Sequence, residues 1–422
     1  MTTESPAGAE IAPEFHEAAE RLGRGCVDVL PAGSLAGALA RAAAADRPLR
    51  VKFGMDPTSA DVHLGHAVVL QKLREFQDAG HEVVLIIGDY TARVGDPSGR
   101  SKSRPVVSGD EIDANARTYQ EQAFRILRTD RTEVRWNGEW LAKMTPAEMF
   151  TLMRGATAAQ ILERDDFQKR MAEHAPIALL ELLYPLLQGY DSVAIDADIE
   201  FGGTDQLFNL LMGRHLQPQY EQRPQLVMTT PILTGTDGVE KMSKSLGNYV
   251  GLEDDPNDVF GKVMSIPDEA MPEWYRYAAG VDWKQAEEYV TAIEGGSVHP
   301  NRAKRTLARH VVERFHDADV AAAAEARFDA QFQRHEIPED IPELSLATVP
   351  TNDAGLVFLP ALLVSAGLAG SNGEARRLLV GGGVKLDGVV VPPEALEHPP
   401  QDLGGTVLQA GKRRYIRLIA EA

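Results

Sequence analysis

The chain has 422 residues, enough for two or three domains at the usual roughly 100 to 200 residues each. A composition of 44% hydrophobic and 25% charged residues is that of an ordinary globular protein and excludes fibrous and disordered classes. The formal charge of −19 argues against nonspecific coating of DNA, and the single cysteine, Cys26, excludes an internal disulfide or a zinc held by cysteines.

The opening segment, residues 1–15, lacks a basic stretch followed by an apolar one, and no run reaches the roughly 18 apolar residues of a membrane helix. A cytoplasmic protein is expected, with no membrane association. The −19 is unevenly spread: residues 351–422 carry seven basic and seven acidic residues, so the excess lies in the first 350. The end of the chain is the part best suited to RNA.

In chain order, residues 1–46 read as an N-terminal helical segment. Leu49 to Phe53 reads as a strand, Leu64 to Asp78 as an amphipathic helix with Val69, Leu73 and Phe76 at helical spacing, and His81 to Ile87 as a second strand. Gly80 suits the helix stop. This βαβ unit predicts an α/β fold, a Rossmann-like doubly wound parallel sheet over residues 47–250, with its ligand after the first strand.

Residues 108–171, rich in charge and helix formers, are expected to be a helical insertion without strands. A helical domain is expected over 251–334, and a linker over 335–354, where Pro338, Pro342 and Pro350 stand among acidic residues. A small C-terminal α/β module follows over 355–422. Its expected parts are an apolar helix from Leu356 to Ala366, a second helix opened by the capping pair Ser371 and Glu374, a hairpin turning at Asp387-Gly388, and a strand from Tyr415 to Ile419. Arg376, Arg377, Lys385, Lys412, Arg413, Arg414 and Arg417 supply its positive charge.

Between the first strand and its helix lies Gly54-Met-Asp-Pro-Thr-Ser-Ala-Asp-Val-His-Leu-Gly-His66. Glycines allow close backbone approach to a ligand, and His63 and His66 stand at a helix N-terminus, which attracts phosphate. Two imidazoles there suit a transferring phosphoryl group; equally, they suit plain helix capping. Further on, Lys241-Met-Ser-Lys-Ser245 follows the turn-rich Thr234-Gly-Thr-Asp-Gly238, which places two lysines on a loop able to close over a triphosphate. A lysine pair alone reads as solvated surface; the combination with the histidines is far more specific.

Leu183-Tyr-Pro-Leu-Leu-Gln-Gly-Tyr-Asp191 precedes Gly202-Gly-Thr-Asp-Gln206. On a helix, Tyr184, Gln188 and Asp191 fall within roughly 60° of one face. Leu179, Leu180, Leu183, Leu186 and Leu187 cover the rest. The polar face must find partners: either neighbouring loops or a zwitterionic ligand bearing a phenol, whose O–H a carboxylate accepts. Pro185 is expected to kink the helix. The stretch Gly95-Asp-Pro-Ser-Gly-Arg100-Ser-Lys-Ser-Arg104 lacks the spacing of a Walker phosphate loop.

With these residues the chain resembles the class I aminoacyl-tRNA synthetases, whose HIGH and KMSKS signatures appear as His63-Leu-Gly-His66 and Lys241-Met-Ser-Lys-Ser245. Within that class, the polar helix and Gly202-Gly-Thr-Asp-Gln206 are similar to the tyrosine pocket of the tyrosyl-tRNA synthetase family. The resemblance extends over most of the chain. It implies formation of tyrosyl-adenylate from tyrosine and ATP, with Mg2+ accompanying the ATP, and then transfer of the tyrosyl group to tRNA(Tyr).

By the same resemblance, Thr58, His63, His66, Lys241 and Lys244 are catalytic, and Asp56, Gly65, His66, Lys244 and Ser245 bind ATP. Asp191 accepts the phenol; Asp96, Tyr184 and Gln188 hold the ammonium; Gln206 orients the carboxylate. Arg376, Arg377, Lys385, Arg413 and Arg414 would bind tRNA on a module similar to an RNA-binding domain of a ribosomal small-subunit protein, alternatively a structural cap. A homodimer joined through the helical insertion is also implied.

Two positions depart from the family pattern. Lys52 stands where many tyrosyl enzymes carry a tyrosine, which shifts phenol recognition towards Asp191, and Arg100 stands where lysine is frequent. The alternatives are a tryptophanyl enzyme, against which Asp191 argues, and a noncatalytic RNA-binding or regulatory protein, against which the intact histidines and lysines argue.

Overall fold

The two apolar runs that bracket helix Leu64–Asp78 pair directly, in parallel, in the computed structural model. The structure describes residues 11–57, 62–97, 109–332, 341–352, 354–411 and 414–420. The chain folds as two compact units, Met1–Glu325 and Ala326–Ala422.

The first unit is built on a six-stranded sheet: β1 (Asp28–Leu30), β2 (Arg50–Met55), β3 (Glu82–Ile87), β4 (Thr132–Trp136), β5 (Ile199–Gly203) and β6 (Leu226–Thr230), in the order β1-β6-β5-β2-β3-β4. All neighbours are parallel except β1, which runs antiparallel to β6. Parallel strands are covered on both faces, and β3 shows it: Val83 through Ile87 are all buried. Helices Leu64–Asp78, Gly109–Ala123, Leu179–Ala194 and Leu207–Leu216 connect successive parallel strands. Val51, Phe53, Phe76, Leu85, Phe201 and Met228 lie in one buried cluster.

The sheet grows from β2 through β3 to β4, then returns to the other side of β2 as β5 and β6. That reversal opens a crevice at the carboxyl ends of β2 and β5, where open α/β sheets place their ligands.

Residues 108–171 are not strandless, because β4 lies among them. It was hidden because it is an edge strand, half-buried throughout, in which charged Glu133 and Arg135 alternate with Thr132, Val134 and Trp136. Short helices Gly138–Leu141, Pro146–Met153, Ala158–Leu162 and Asp165–Ala172 follow, two of them opened by capping boxes at Thr145 and Thr157. The N-terminal segment likewise contains β1, a strand of three residues and too short to show a period.

Helix Leu179–Ala194 runs continuously through Pro185. Of its leucines, Leu186 and Leu187 are buried, whereas Leu179 and Leu180 are exposed. The helix lies close to Leu207–Leu216 through two glycines: a Cβ at Gly189 would stand 3.1 Å from the Gly213 nitrogen, and one at Gly213 would meet Gln225 Nε2 at 2.7 Å and Ser192 Oγ at 2.8 Å. Beyond the sheet, residues 256–332 hold helices Pro256–Ser265, Met271–Tyr277, Trp283–Glu294, Pro300–Glu313 and Ala318–Phe332.

In the second unit, β7 (Glu343–Ser345), β8 (Val357–Phe358), β9 (Val384–Leu386), β10 (Val389–Val390), β11 (Glu397–His398), β12 (Val407–Ala410) and β13 (Arg414–Ile419) form a sheet ordered β10-β9-β12-β13-β7 and a separate β11-β8 pair. Ser371 caps helix Asn372–Val380 by accepting from the Glu374 N–H, and Asp387 and Gly388 turn the β9-β10 hairpin with φ of 49° and 82°. Leu359–Ser365 is helical, but Val357 and Phe358 pair with β11, so the apolar stretch from Leu356 begins as a strand.

The segment expected as a linker contributes β7, which pairs parallel with β13, and Arg417 donates its backbone N–H to the Pro342 carbonyl. Prolines on both sides made a three-residue edge strand look like loop.

Gly213→Ala should lower the thermal unfolding midpoint measurably, corresponding to about 1–3 kcal/mol of overpacking. A calorimetric scan matching the wild type would show that the helix pair can separate freely.

Candidate active site

The histidine motif and the lysine motif are joined through the backbone. His63 forms an antiparallel bridge with Gly251, just after the lysine loop; the Leu64 N–H donates to the Val250 carbonyl and the Leu252 N–H to that of Val62. Met242 is buried, and its Cβ lies 3.9 Å from where a Cβ on Gly65 would stand.

His63 is the N-cap of helix Leu64–Asp78. Its Nδ1 accepts from the Gly65 N–H, while Nδ1 of His66 accepts from the His63 N–H. Both imidazoles therefore cap the helix, as the plainer reading had it. With Nδ1 an acceptor in each, the single proton of the neutral ring sits on Nε2, leaving an N–H to donate elsewhere. Burial pushes His63 down to about 2, helped by the charges of His66 and Lys241, and burial alone takes His66 down to about 4. They act as neutral donors.

The lysine loop is tied by Asn248, a residue that sequence reasoning missed. Its amide donates to Asp237 Oδ2 and to the Lys241 carbonyl, and its Oδ1 accepts from the Ser243 N–H. The Lys241 ammonium lies 3.6 Å from Asp205, whose carboxyl is raised by burial with Lys241 opposing. Lys244 opens a short 3₁₀ turn, and Ser245 Oγ lies 2.9 Å from Ser243 Oγ.

At the end of β2, the Asp56 carboxylate accepts from Tyr184 OH at 3.0 Å and Thr91 Oγ1 at 2.7 Å. It leaves no room for a side chain at Gly88, where a Cβ would come within 2.0 Å of Asp56 Oδ1. The Tyr184 phenol is raised well above its ordinary value, first by burial and then by the negative charges of Asp56, Asp96 and Asp191. Gln206 donates to Asp96 Oδ2 at 2.9 Å and accepts from Asn209. Asp96, Tyr184 and Gln206 are thus brought together, with Asp56 as their link to the ATP motif.

Asp191 is buried and accepts from Trp140 Nε1 at 2.8 Å and Asn137 Nδ2 at 3.2 Å. Burial raises its carboxyl to about 6, opposed by the charge of Lys52 and by these two hydrogen bonds. Asn137 and Trp140 also escaped the sequence reading; they follow β4, and recognising that strand would have marked them as residues at the carboxyl end of a sheet. Gln188 points its amide at Glu200, 3.5 Å away.

Thr58, Arg413 and Lys412, with Arg100 and Arg104, lie outside the described residues. In the second unit, Arg376, Arg377 and Arg414 are exposed and Lys385 half-buried, and the Arg376 guanidinium lies 5.6 Å from the centre of the Phe358 ring.

The family profile described as tRNA synthetases class I (W and Y) matches residues 44–333. The tyrosine–tRNA ligase of Moorella thermoacetica is 49% identical over 397 residues, covering 94% of each chain, and that of Geobacter sulfurreducens is 47% identical over 395 residues, covering 94% of this chain and 96% of its own. This chain belongs to the class I tyrosine–tRNA ligase family. The tyrosine–tRNA ligase of Thermotoga maritima is 50% identical over 370 residues, covering 88% of this chain and 90% of its own. Among solved structures, the tyrosyl-tRNA synthetase of Archaeoglobus fulgidus superposes with a TM-score of 0.59 at 22% identity, covering 73% of this chain and 99% of its own. That likeness extends the agreement to the fold.

The Rossmann-like α/β class and the ligase activity read from the sequence both stand, and the tryptophanyl and noncatalytic alternatives lose their support. Among the described residues, no helix is long and apolar enough to cross a membrane.

Nitrogen-15 NMR should find Nδ1 unprotonated in both His63 and His66, with no titration between pH 5.5 and about 8. An imidazole titrating near its ordinary value of about 6.5 would contradict the burial described here.

Proposed function

We propose that this ligase forms tyrosyl-adenylate in the crevice between β2 and β5, using the residues gathered there, and transfers the tyrosyl group to tRNA(Tyr) bound partly by the second unit. The observation that carries the reading is the direct pairing of the histidine motif with the segment after the lysine motif at His63 and Gly251.

In the first step, a tyrosine carboxylate oxygen attacks the α-phosphorus of ATP, and pyrophosphate leaves with the electrons of the broken P–O bond. In the second, a ribose hydroxyl of tRNA attacks the tyrosyl carbonyl, and AMP leaves. No protein nucleophile is required, so the protein contributes positioning and charge. His63 and His66 donate neutral Nε2–H bonds to phosphate oxygens, and the helix N-terminus adds its own dipole. Lys241 and Lys244 supply the formal positive charge, with Lys241 exchanging Asp205 for phosphate. Gly65 admits the nucleotide, Asp56 and Ser245 contact it, and Thr58 is assigned to the same group.

Among the described residues, no three acidic, histidine or cysteine side chains converge as a metal site. Mg2+ is assigned to the triphosphate, entering with ATP as part of the substrate. In the tyrosine subsite, Asp191 accepts the phenol, Asp96 and Tyr184 with Gln188 hold the ammonium, and Gln206 orients the carboxylate. Asp191 keeps spare acceptor capacity, since each of its oxygens takes only one of the bonds described above.

Arg376, Arg377, Lys385 and Arg414, with Arg413, are assigned to tRNA phosphates. A homodimer through the insertion is supported by apolar side chains left in water on its helices and the next one: Phe150, Met153, Met171, Leu179 and Leu180 are all exposed. The ligase is assigned to the cytoplasm.

Exchange of pyrophosphate into ATP should depend on tyrosine and not on phenylalanine or tryptophan. The KM for tyrosine should rise as pH falls through about 6, because protonation of Asp191 removes the phenol acceptor. The same curve in Asp191→Asn should lose that inflection; an inflection that survives would remove Asp191 from phenol recognition.

The combined variant Arg376→Ala, Arg377→Ala and Lys385→Ala should leave this exchange intact. It should weaken tRNA charging roughly tenfold and flatten its salt dependence. Undiminished charging would return the second unit to a structural role.

A further inference from the structure

Lys52 takes no part in the assignments above, yet it is completely buried on β2. Its ammonium donates to the Gln188 carbonyl at 2.9 Å, to Ser192 Oγ at 2.8 Å and to Glu200 Oε1 at 2.8 Å, so all three protons are engaged. Ser192 then donates to Glu200 Oε2 at 3.0 Å, and the Gln225 amide donates to the same oxygen. Ser192, Glu200 and Gln225 are as deeply buried as Lys52.

Two of the three bonds from Lys52 end on helix Leu179–Ala194, and they bracket Asp191: one at Gln188, a turn before it, and one at Ser192, immediately after it. The third ties the same ammonium to β5. We infer that Lys52 is a positioning and specificity-determining residue, which fixes the helical turn bearing Asp191 against β2 and β5 and so sets the choice of a phenol-bearing substrate. The inference rests on reading Asp191 as the phenol acceptor.

A well-packed apolar side chain would stabilise this position as well as a buried ion pair does, so stability alone gives no reason for the network. Its geometry gives one. The bonds act on the backbone and on a side chain of the one turn whose placement decides where the Asp191 oxygens lie.

Charge acts in the same direction. The groups facing Asp191 are Lys52 from β2, Glu200 from β5, Tyr184 from its own helix, and the uncharged donors Asn137 and Trp140 after β4. Of these, Lys52 does most to favour the ionised carboxyl, more than Glu200 does to oppose it. An ionised carboxylate buried without a phenol donor is costlier than a neutral acid, and that difference rejects phenylalanine; tyrosyl-tRNA synthetases are themselves the standard example of such rejection.

The test uses the full chain with Lys52→Met/Glu200→Gln, which removes both charges while the new amide keeps a donor and an acceptor for Ser192 and Gln225. Pyrophosphate exchange should show KM for tyrosine raised roughly tenfold and the preference over phenylalanine reduced, with KM for ATP within about twofold of wild type. The pH below which KM for tyrosine climbs should move up by roughly one unit. A variant that matches wild type in tyrosine KM, phenylalanine rejection and pH profile overturns the inference.

If the double variant does not fold, Ser192→Ala removes one anchor and keeps the ion pair. It should show a smaller rise in tyrosine KM at unchanged ATP KM, and no rise overturns the inference equally. Asp191→Asn is run beside them. Should it alone disturb tyrosine selection, the inference fails while the pocket stands; should it disturb nothing, the pocket and the inference fail together.

Discussion

Strands β2 and β5 are neighbours because the chain reverses the direction of sheet growth between them, and the proposed chemistry occupies the crevice that this reversal opens. The two strands are also joined through their side chains, by the buried Lys52 and Glu200. Taking such a pair out of water costs on the order of several kcal/mol per ion, offset only when the geometry is good and every remaining polar atom finds a partner. Lys52 meets that condition with three acceptors at 2.8 to 2.9 Å. The glycines at 189 and 213 belong to the same arrangement, since they let two helices close over the network without a side chain in the way.

From that floor upward, the proposed assignments divide the charges of the crevice by function. The end assigned to tyrosine is acidic, with Asp96 and Asp191 each provided with a donor from the protein, while Asp56 and Asp205 are held by Thr91 and Lys241. The end assigned to phosphate holds two imidazoles that burial keeps uncharged, so the lysine loop supplies formal positive charge there. Neutral donors fixed to a helix terminus need no reorganisation when a phosphate arrives, and they do not bind the free anions of the cell as tightly as imidazolium would. A cation on a loop can come and go with the triphosphate. The Lys241–Asp205 contact gives it a defined place in the meantime, half-exposed and therefore weakly held.

Much of this was legible in the sequence. Helix Leu64–Asp78 was read to the residue because its apolar spacing and its Gly80 stop agreed. Strands β2 and β3 showed themselves as apolar runs because parallel strands bury both faces. What escaped was short or marginal: β1 and β7 have three residues each, and β4 alternates charge because one side faces water. The lost strand took Asn137 and Trp140 with it. Lys52 was noticed as a departure from the family pattern, but its meaning depended on Glu200, far away in sequence and adjacent only after β2 and β5 pair. No local pattern carries that information.

The charge distribution bears on how an acidic ligase meets an acidic nucleic acid. With the −19 confined to the first 350 residues, long-range attraction cannot steer tRNA to the catalytic unit as a whole. Contacts there have to be short-ranged and specific in shape. Residues 351–422, balanced in charge, carry Arg376 and Arg377 on helix Asn372–Val380 and Arg414 on β13, all three exposed and without carboxylates of the same elements beside them except Glu374, which accepts from the Gly370 N–H at the helix N-terminus. Arginine suits this work, because its planar guanidinium pairs with phosphate through two hydrogen bonds and also stacks on aromatic faces, as that of Arg376 does over Phe358.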